Sequence, residues 1–295
     1  MFVHDHKQSL DATDENFVRE LLDRVSDSNF QHSDLPSLFR SLVYSMKNLQ
    51  HSQMVMLYNQ YEGNARSKKL FEDALPLLKT DTGISLMRDI IKSGRLDEAV
   101  VDSWFDSLTF YKKPTRSMLT VLSTFLEPLP APPKSALLGI SNLASTFCSG
   151  HPDCLQVAEL RDLVSHLQQL LGTNCSTANQ AEEETMVLVL KGLRNIGKMT
   201  GSSTTLKNCY KTMSNSMWVR VAAVDTIQTL TCHFPEADFG LMDSFTDRQE
   251  DSELRIGAYR ALMTCPTEAV VEFVKVLLVE EQVNQGKSAC EVQTF

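Results

Sequence analysis

The sequence predicts an all-α protein, and within that class an α-solenoid made of helix pairs. The main observation is an internal repeat, because residues 219–230 align with residues 254–265 at an offset of 35 residues. In this alignment Arg220 matches Arg255, and each copy then meets a proline, Pro235 or Pro266, that is followed within three residues by Glu-Ala. The second observation is that almost every other segment has apolar residues at helical spacing. Helix, proline stop and second helix at a fixed period are typical of a solenoid, whose units must stack to hide their apolar faces.

The first half of the chain is predicted to form seven helices. The first spans residues 11–27, where polar residues suited to an N-cap precede Phe17, Leu21 and Val25 at helical spacing. Pro36 falls in the first turn of the second helix, where its missing N–H group costs nothing. The predicted ranges of the second to seventh helices are 34–46, 54–61, 70–78, 81–91, 97–108 and 114–125.

Residues 128–133, Pro-Leu-Pro-Ala-Pro-Pro, carry the strongest stop signal and predict a loop between solenoid units. A helix pair is predicted at 137–147 and 155–171, followed by a polar loop at 172–180. The next helix begins with three glutamates, which suit the positive end of its dipole. A short helix at 204–213 then precedes the repeated segments.

Composition and charge exclude several function classes. The chain has 28 basic and 37 acidic side chains, a net charge of −9, which argues against nucleic acid as a partner. No apolar run reaches the roughly 20 residues needed to span a membrane. The first residues lack the basic and then apolar pattern of a secretory signal, so we expect a cytosolic chain or an internal piece of a longer one.

We expect one solenoid domain at residues 13–285. An irregular N-terminal segment, 1–12, precedes it, and an irregular tail, 286–295, follows it, because helical periodicity is lost there. The helical pattern resumes at Ser135 after the proline-rich loop, which favours one continuous array over several domains.

One motif resembles a phosphate-binding loop. Gly192-Leu-Arg-Asn-Ile-Gly197-Lys198 fits the spacing of two glycines and a lysine, but Met199 stands where a Ser or Thr would bind magnesium. The same residues continue a helical pattern, and no alternation of strands and helices surrounds them. A helix with two packing glycines is therefore favoured over a nucleotide site.

The seven cysteines suggest bridges rather than a metal site. Cys148 and Cys154 flank a tight turn, and a local disulfide is favoured there if the protein is extracellular. Cys148, His151 and Cys154 provide three ligands in an order that fits no common zinc spacing. Cys175 and Cys209 are a possible second bridge, with the alternative that each is a small buried residue.

The remaining three cysteines are not assigned to a bridge. Cys232 and Cys265, at helix ends, are predicted to be core residues, and Cys290 lies in the irregular tail. No catalytic, cofactor-binding or metal-ligating set is predicted.

Two kinds of surface feature remain. Asn174-Cys175-Ser176 is an N-glycosylation sequon, although a bridge at Cys175 would compete with its use. There are two short basic clusters, Arg66 with Lys68-Lys69 and Lys112-Lys113 with Arg116. Such clusters usually lie on a solvent-exposed face of a helix, and a contact with a partner is the alternative.

Several motifs in order resemble the helical domain of the large lipid transfer proteins, which include vitellogenins, apolipophorins and apolipoprotein B. They are residues 134–143 (KSALLGISNL), 190–197 (LKGLRNIG), 253–266 (ELRIGAYRALMTCP) and 277–285 (LLVEEQVNQ). The spacing of Cys175 and Cys209 also resembles a bridge of that family. The resemblance covers most of the chain, roughly Asp14 to Gln285.

The resemblance implies a superhelical horseshoe of antiparallel helix pairs from a secreted lipid carrier. In that family the horseshoe wraps around β-sheets that line a lipid cavity, so the expected partners are lipid and the β-sheet domains of a parent chain. We expect the family's N-terminal barrel and lining sheets to be missing, and Gly286-Lys-Ser-Ala-Cys290 departs from the usual continuation. We therefore expect a truncated product, an alternative splice form or an incomplete sequence.

The leading hypothesis is lipid transport by a non-enzymatic helical scaffold without cofactors. Its inner helix layer would expose an apolar patch when the sheets are missing. The alternatives are a cytosolic HEAT-like interaction module, which would keep seven free thiols, and a nucleotide enzyme using Lys198.

Overall fold

The structure, a computed structural model, describes residues 15–27, 32–126, 133–200, 203–234, 239–277 and 279. This part of the chain is helical and contains no strand. The helices are α1 (Glu15–Ser26), α2 (Leu35–Met46), α3 (His51–Gln60), α4 (Ala65–Leu78), α5 (Asp81–Lys92), α6 (Glu98–Ser107), α7 (Arg116–Ser123), α8 (Lys134–Gly150), α9 (Ala158–Leu170), α10 (Gln180–Ile196), α11 (Thr204–Lys211), α12 (Met217–Leu230), α13 (Leu241–Thr246), α14 (Ser252–Thr264) and α15 (268–277). The predicted all-α solenoid is confirmed as the fold class.

Short 3₁₀ turns cover His32–Asp34, Leu108–Phe110 and Cys154–Gln156. No helix in the described ranges is both long and apolar enough to cross a membrane. The predicted irregular ends, 1–12 and 286–295, and most of the predicted loop at 128–133 lie outside the described residues.

Polar N-caps decide where many of these helices begin. In each, a side-chain oxygen accepts a backbone N–H of the first turn, which stabilises a helix by about 1 kcal/mol. The residues are Asn64, Thr80, Thr115, Asn179, Ser216 and Asp251. Asn64 explains the largest difference from the sequence analysis, because it starts α4 at Ala65, five residues before the predicted Leu70.

The chain divides into two compact units, Met1–Leu160 and Arg161–Phe295. In the first unit α1 packs on α2 and α4, α5 on α7, and α6 on α8. Alternate helices therefore stack on one another, as the solenoid class requires. In the core of this unit the Phe105 ring meets the Phe125 ring edge-on at 5.1 Å, and both side chains are buried.

In the second unit α10 packs on α12 and α12 on α14, while α11 and α13 pack against α12 and α14 respectively. The two copies found in the sequence, within α12 and α14, are thus direct neighbours. Ala223 and Ala258, which correspond in the alignment, are both fully buried.

Gly139 in α8 marks a close contact between two helices of the first unit. A Cβ at this position would overlap the Phe105 carbonyl oxygen in α6, because the two atoms would be closer than non-bonded atoms can approach. Glycine is needed here for close approach of two helix backbones, since α8 lies directly on the end of α6.

We expect Gly139→Ala to lower the free energy of unfolding by about 1–3 kcal/mol, because the added methyl must push α6 and α8 apart. Denaturant unfolding followed by circular dichroism measures this. Gly150→Ala is the matched control, since no atom lies within 4 Å of its Cβ position. Equal stability of the two variants would contradict the close contact.

Candidate functional site: the repeated helices and their bridges

The repeat of the second unit extends to individual hydrogen bonds. Arg220 Nε donates to the Tyr210 carbonyl oxygen at 2.7 Å, and Arg255 Nε donates to the Phe245 carbonyl oxygen at 3.2 Å. Both acceptors lie 10 residues before their arginine. Each arginine therefore fastens the start of its helix to the preceding short helix in the same way.

Arg220 also forms a buried ion pair. Its Nη2 lies 2.9 Å from Oε1 and 2.8 Å from Oε2 of Glu250, and both side chains are only 7% exposed. Glu250 precedes α14, so the pair joins α12 to the beginning of the next helical repeat within the second unit. A buried pair of this kind mainly fixes one arrangement, because desolvation offsets much of the attraction.

Neighbouring copies approach each other closely at Gly257. A Cβ there would lie 3.0 Å from Val224 Cγ1 of α12, and the alignment places Gly257 opposite Ala222. On the other side of α12, Thr226 Oγ1 donates to the Leu190 carbonyl oxygen of α10 at 2.9 Å. Small or hydrogen-bonding side chains thus set the distance between stacked helices.

We expect Arg220→Met to lower the free energy of unfolding by about 3–5 kcal/mol, because it leaves the Glu250 carboxylate buried without its partner. Arg194→Met is the matched control, since Arg194 forms an ion pair with Asp225 but is 45% exposed. Exposed pairs contribute little, and the control should stay within about 1 kcal/mol of the unchanged chain. Similar losses in both variants would show that burial of the Arg220 pair is unimportant.

The residues that resemble a phosphate-binding loop belong to a helix. Gly192 is buried within α10, and Gly197 is the left-handed C-cap of that helix, with φ 63° and an N–H bonded to the Leu193 carbonyl. Met199 is buried. The prediction of a helix is confirmed and Gly192 is a buried glycine within it, but Gly197 ends the helix as a left-handed cap and has no atom within 4 Å of its Cβ position, so it is not a packing glycine.

Within the residues that the structure describes, three disulfides join six cysteines. Cys148 pairs with Cys154 and Cys175 with Cys209, with Cα–Cα distances of 5.2 and 4.9 Å. His151, between the first two, stacks on Phe147 at 4.3 Å between ring centroids. In the part of the chain that the structure describes, no group of His, Cys, Asp and Glu could hold a metal ion.

The prediction that Cys232 and Cys265 are core residues is wrong. Both are exposed, and they form a third disulfide with a Cα–Cα distance of 5.3 Å. This bridge joins the end of α12 to the end of α14. Its sequence separation of 33 nearly equals the 34 of Cys175–Cys209, so the one-repeat spacing was the signal that could have revealed it.

Asn174 lies at the edge of the second unit, beside a bridge. Its side-chain Oδ1 accepts a hydrogen bond from Ser176 Oγ at 2.9 Å, and its carbonyl oxygen accepts one from Asn215 Nδ2 at 2.7 Å. Cys175 has the positive φ of 59°, which turns the chain sharply between Asn174 and Ser176. The sequon therefore sits in a tight loop held by the Cys175–Cys209 bridge.

We expect six of the seven cysteines of the native-source protein to resist alkylation until a reductant is added. Mass spectrometry of alkylated peptides before and after reduction counts them, and unreduced unfolded protein serves as the control for burial. Alkylation of Cys232 and Cys265 in that unreduced control would contradict the third bridge.

The second unit also exposes apolar side chains. Trp218 in α12 is 76% exposed and Ile256 in α14 is 59% exposed. A groove of about 310 Å³ runs between these helices and is lined by Val221, Ile256 and Gly257 together with charged residues. Trp218 and Val221 are three residues apart and so share a helix face.

Buried tyrosines of the first unit keep their protons. Burial, and then the hydrogen bond to Glu72 at 3.0 Å, raise the pKa of Tyr58 well above its ordinary value. Burial and the bond to Asp23 at 2.6 Å raise the pKa of Tyr61 in the same way. These hydroxyls act as neutral donors that join α3 to α4 and the end of α3 to α1.

The helices stack at a period near 35 residues, and this architecture makes the chain an α-solenoid protein. The family described as the Vitellogenin TPR domain matches residues 13–291, and the chain belongs to that family.

The chain is similar to several known proteins. It is 27% identical to the apolipophorins of Locusta migratoria over 259 residues, which is 85% of this chain and 7% of that protein. It is 29% identical to the apolipophorins of Manduca sexta over 251 residues, 84% of this chain and 7% of that protein. A vitellogenin of Penaeus merguiensis is 23% identical over 224 residues, 75% of this chain and 9% of that protein.

Among solved structures, one of lipovitellin, described by its lipid–protein interactions, superposes with a TM-score of 0.68 at 22% identity. The alignment covers 94% of this chain and 29% of that chain. This likeness concerns the fold. The chain spans less than a tenth of the length of the apolipophorins it matches.

Proposed function

We propose that this chain is the helical scaffold of a secreted lipid-carrying protein and has no catalytic role of its own. The observation that carries the proposal is the family match over residues 13–291, joined by apolipophorins and vitellogenins among the relatives. The solenoid domain would span residues 13–285, with 1–12 and 286–295 outside it.

The scaffold would work by covering β-sheets of a parent chain that line a lipid cavity. The exposed Trp218 and Ile256, and the groove between α12 and α14, supply apolar surface for such a contact. Burying one large apolar side chain stabilises a contact by about 1.5–3 kcal/mol. The charged residues at the groove, among them Asp225 and Arg260, would fix its register.

The disulfides favour secretion over the alternative of a cytosolic HEAT-like module. Bridges persist in oxidising compartments and are rare in the cytosol. Three bridges in a chain of 295 residues therefore support an extracellular protein. The same route would bring Asn174 to the glycosylation machinery, before Cys175 is bridged.

We expect the chain to bind a dye whose fluorescence rises in apolar surroundings, and we expect Ile256→Ser to weaken this binding by at least about fivefold. The physical reason is the loss of the largest apolar side chain that is exposed at the groove. Fluorescence titration with the dye, followed by titration with a soluble fatty acid as competitor, measures the binding of the unchanged chain and its weakening in the Ile256→Ser variant. Lipid extraction of the native-source protein tests carriage directly and should release bound lipid.

Met213→Ser is the matched control, because Met213 is 75% exposed but lies in the loop before α12 rather than in the groove. It should leave dye binding unchanged. Native protein free of lipid, or a chain that does not bind the dye, would contradict the proposal.

A further inference from the structure

A second exposed surface lies in the first unit, on the loop between α6 and α7. Phe110 is 68% exposed there, and Lys112, Lys113 and Arg116 follow it, all exposed. Lys79 reaches the same loop and donates from Nζ to the Phe110 carbonyl oxygen at 2.9 Å. We call Phe110 and these four cations the Phe110 loop.

The position of Phe110 is fixed by its neighbour. Tyr111 is 2% exposed, and its hydroxyl donates to the Pro76 carbonyl oxygen of α4 at 3.3 Å. The Tyr111 backbone N–H bonds to the Leu108 carbonyl oxygen at 3.1 Å. Because Tyr111 is anchored inward, the adjacent Phe110 ring is held outward on an ordered backbone.

The cations of the Phe110 loop are barely neutralised. Within the described part of the chain, no carboxylate forms an ion pair with Lys112, Lys113 or Arg116. Asp81 reaches this loop through a hydrogen bond from Thr115 Oγ1. The loop is therefore a local positive surface on a chain whose net charge is −9.

The other basic cluster differs in this respect. Lys69 Nζ lies 2.8 Å from Asp73 Oδ1, and Lys68 Nζ lies 3.7 Å from Glu72 Oε1, each within α4. The two lysines of that cluster therefore have ion-pair partners on their own helix. The alternative of a partner contact, open for both clusters in the sequence, is favoured by the structure for the Phe110 loop alone.

We propose that the Phe110 loop binds the surface of anionic phospholipid, with the Phe110 ring entering the interface and the four cations facing the headgroup phosphates. Aromatic rings are stable at the boundary between headgroups and acyl chains. Basic side chains beside them gain from the negative potential of anionic lipid within about 10 Å of the surface. A purely polar partner such as an acidic polysaccharide would leave Phe110 in water.

This contact concerns the outside of a lipid surface and does not require the chain to carry lipid cargo. The test is co-sedimentation of the 295-residue chain with vesicles of phosphatidylglycerol and phosphatidylcholine, compared with vesicles of phosphatidylcholine alone. We expect binding to the first kind only, and weaker binding as salt is raised.

Two variants test the two parts of the loop. Lys112→Gln with Lys113→Gln should weaken binding about 30-fold, and Phe110→Ser should weaken it at least about tenfold. Phe110→Leu, which keeps the apolar contact, should retain binding and shows that the loop still folds. Arg66→Gln with Lys69→Gln removes the same charge elsewhere and should have little effect.

The proposal is overturned if the unchanged chain ignores anionic vesicles or binds both kinds equally. It is also overturned if Phe110→Ser binds as well as Phe110→Leu, or if the Arg66 and Lys69 control loses as much as the Lys112 and Lys113 variant. Dye binding at the α12–α14 groove is measured separately, so either result stands without the other.

Discussion

Stacking of one helical unit on the next is the constraint on which the structure depends. Short helices have an apolar face that they cannot bury within one pair, and isolated helices of this length are marginal in water. Each pair therefore needs its neighbour. Some hydrogen bonds between stacked repeats span about one repeat length, 35 residues for Tyr111 to Pro76, 36 for Thr226 to Leu190 and 35 for Asn208 to Thr173.

The second unit contains two kinds of stabilising contact, and they join different elements. Arg220 and Arg255 reach 10 residues back, and so hold each long helix to the short helix before it. The Arg220–Glu250 pair and the Cys232–Cys265 bridge instead span about one repeat and join consecutive units. Because a solenoid's stability is close to a sum of unit and interface terms, loss of one fastening should weaken its own interface most.

The sequence predicted the fold class and the existence of most helices, since both follow from apolar spacing that local residues carry. It predicted boundaries less well where a cap lay outside the apolar pattern, as at Asn64. The helix at 70–78 was predicted too short for this reason, although Pro76 near its end was tolerated within α4. A side-chain hydrogen bond to a backbone N–H leaves little trace in a count of apolar residues.

The site was less predictable because its features depend on contacts between units. Cys232 looked like a core residue from its place at a helix end, yet the next unit brings Cys265 beside it. Arg220 and Glu250 are 30 residues apart, and only stacking buries them together. Exposure is likewise a property of the assembled units, so Trp218 and Phe110 could not be told from core aromatics by spacing alone.

Side chains that stacking leaves exposed are the ones free to meet a partner, and here they stand on ordered backbone. Phe110 is held outward by the buried Tyr111, and Ile256 lies at the edge of the groove in α14, a helix that packs on α12. A partner that covers such residues orders little that was mobile before, so less of the contact energy is offset by lost conformational freedom. Stacking buries most apolar side chains between helices and leaves a few exposed on ordered backbone. Such a scaffold is suited to present these side chains to a lipid surface or a sheet.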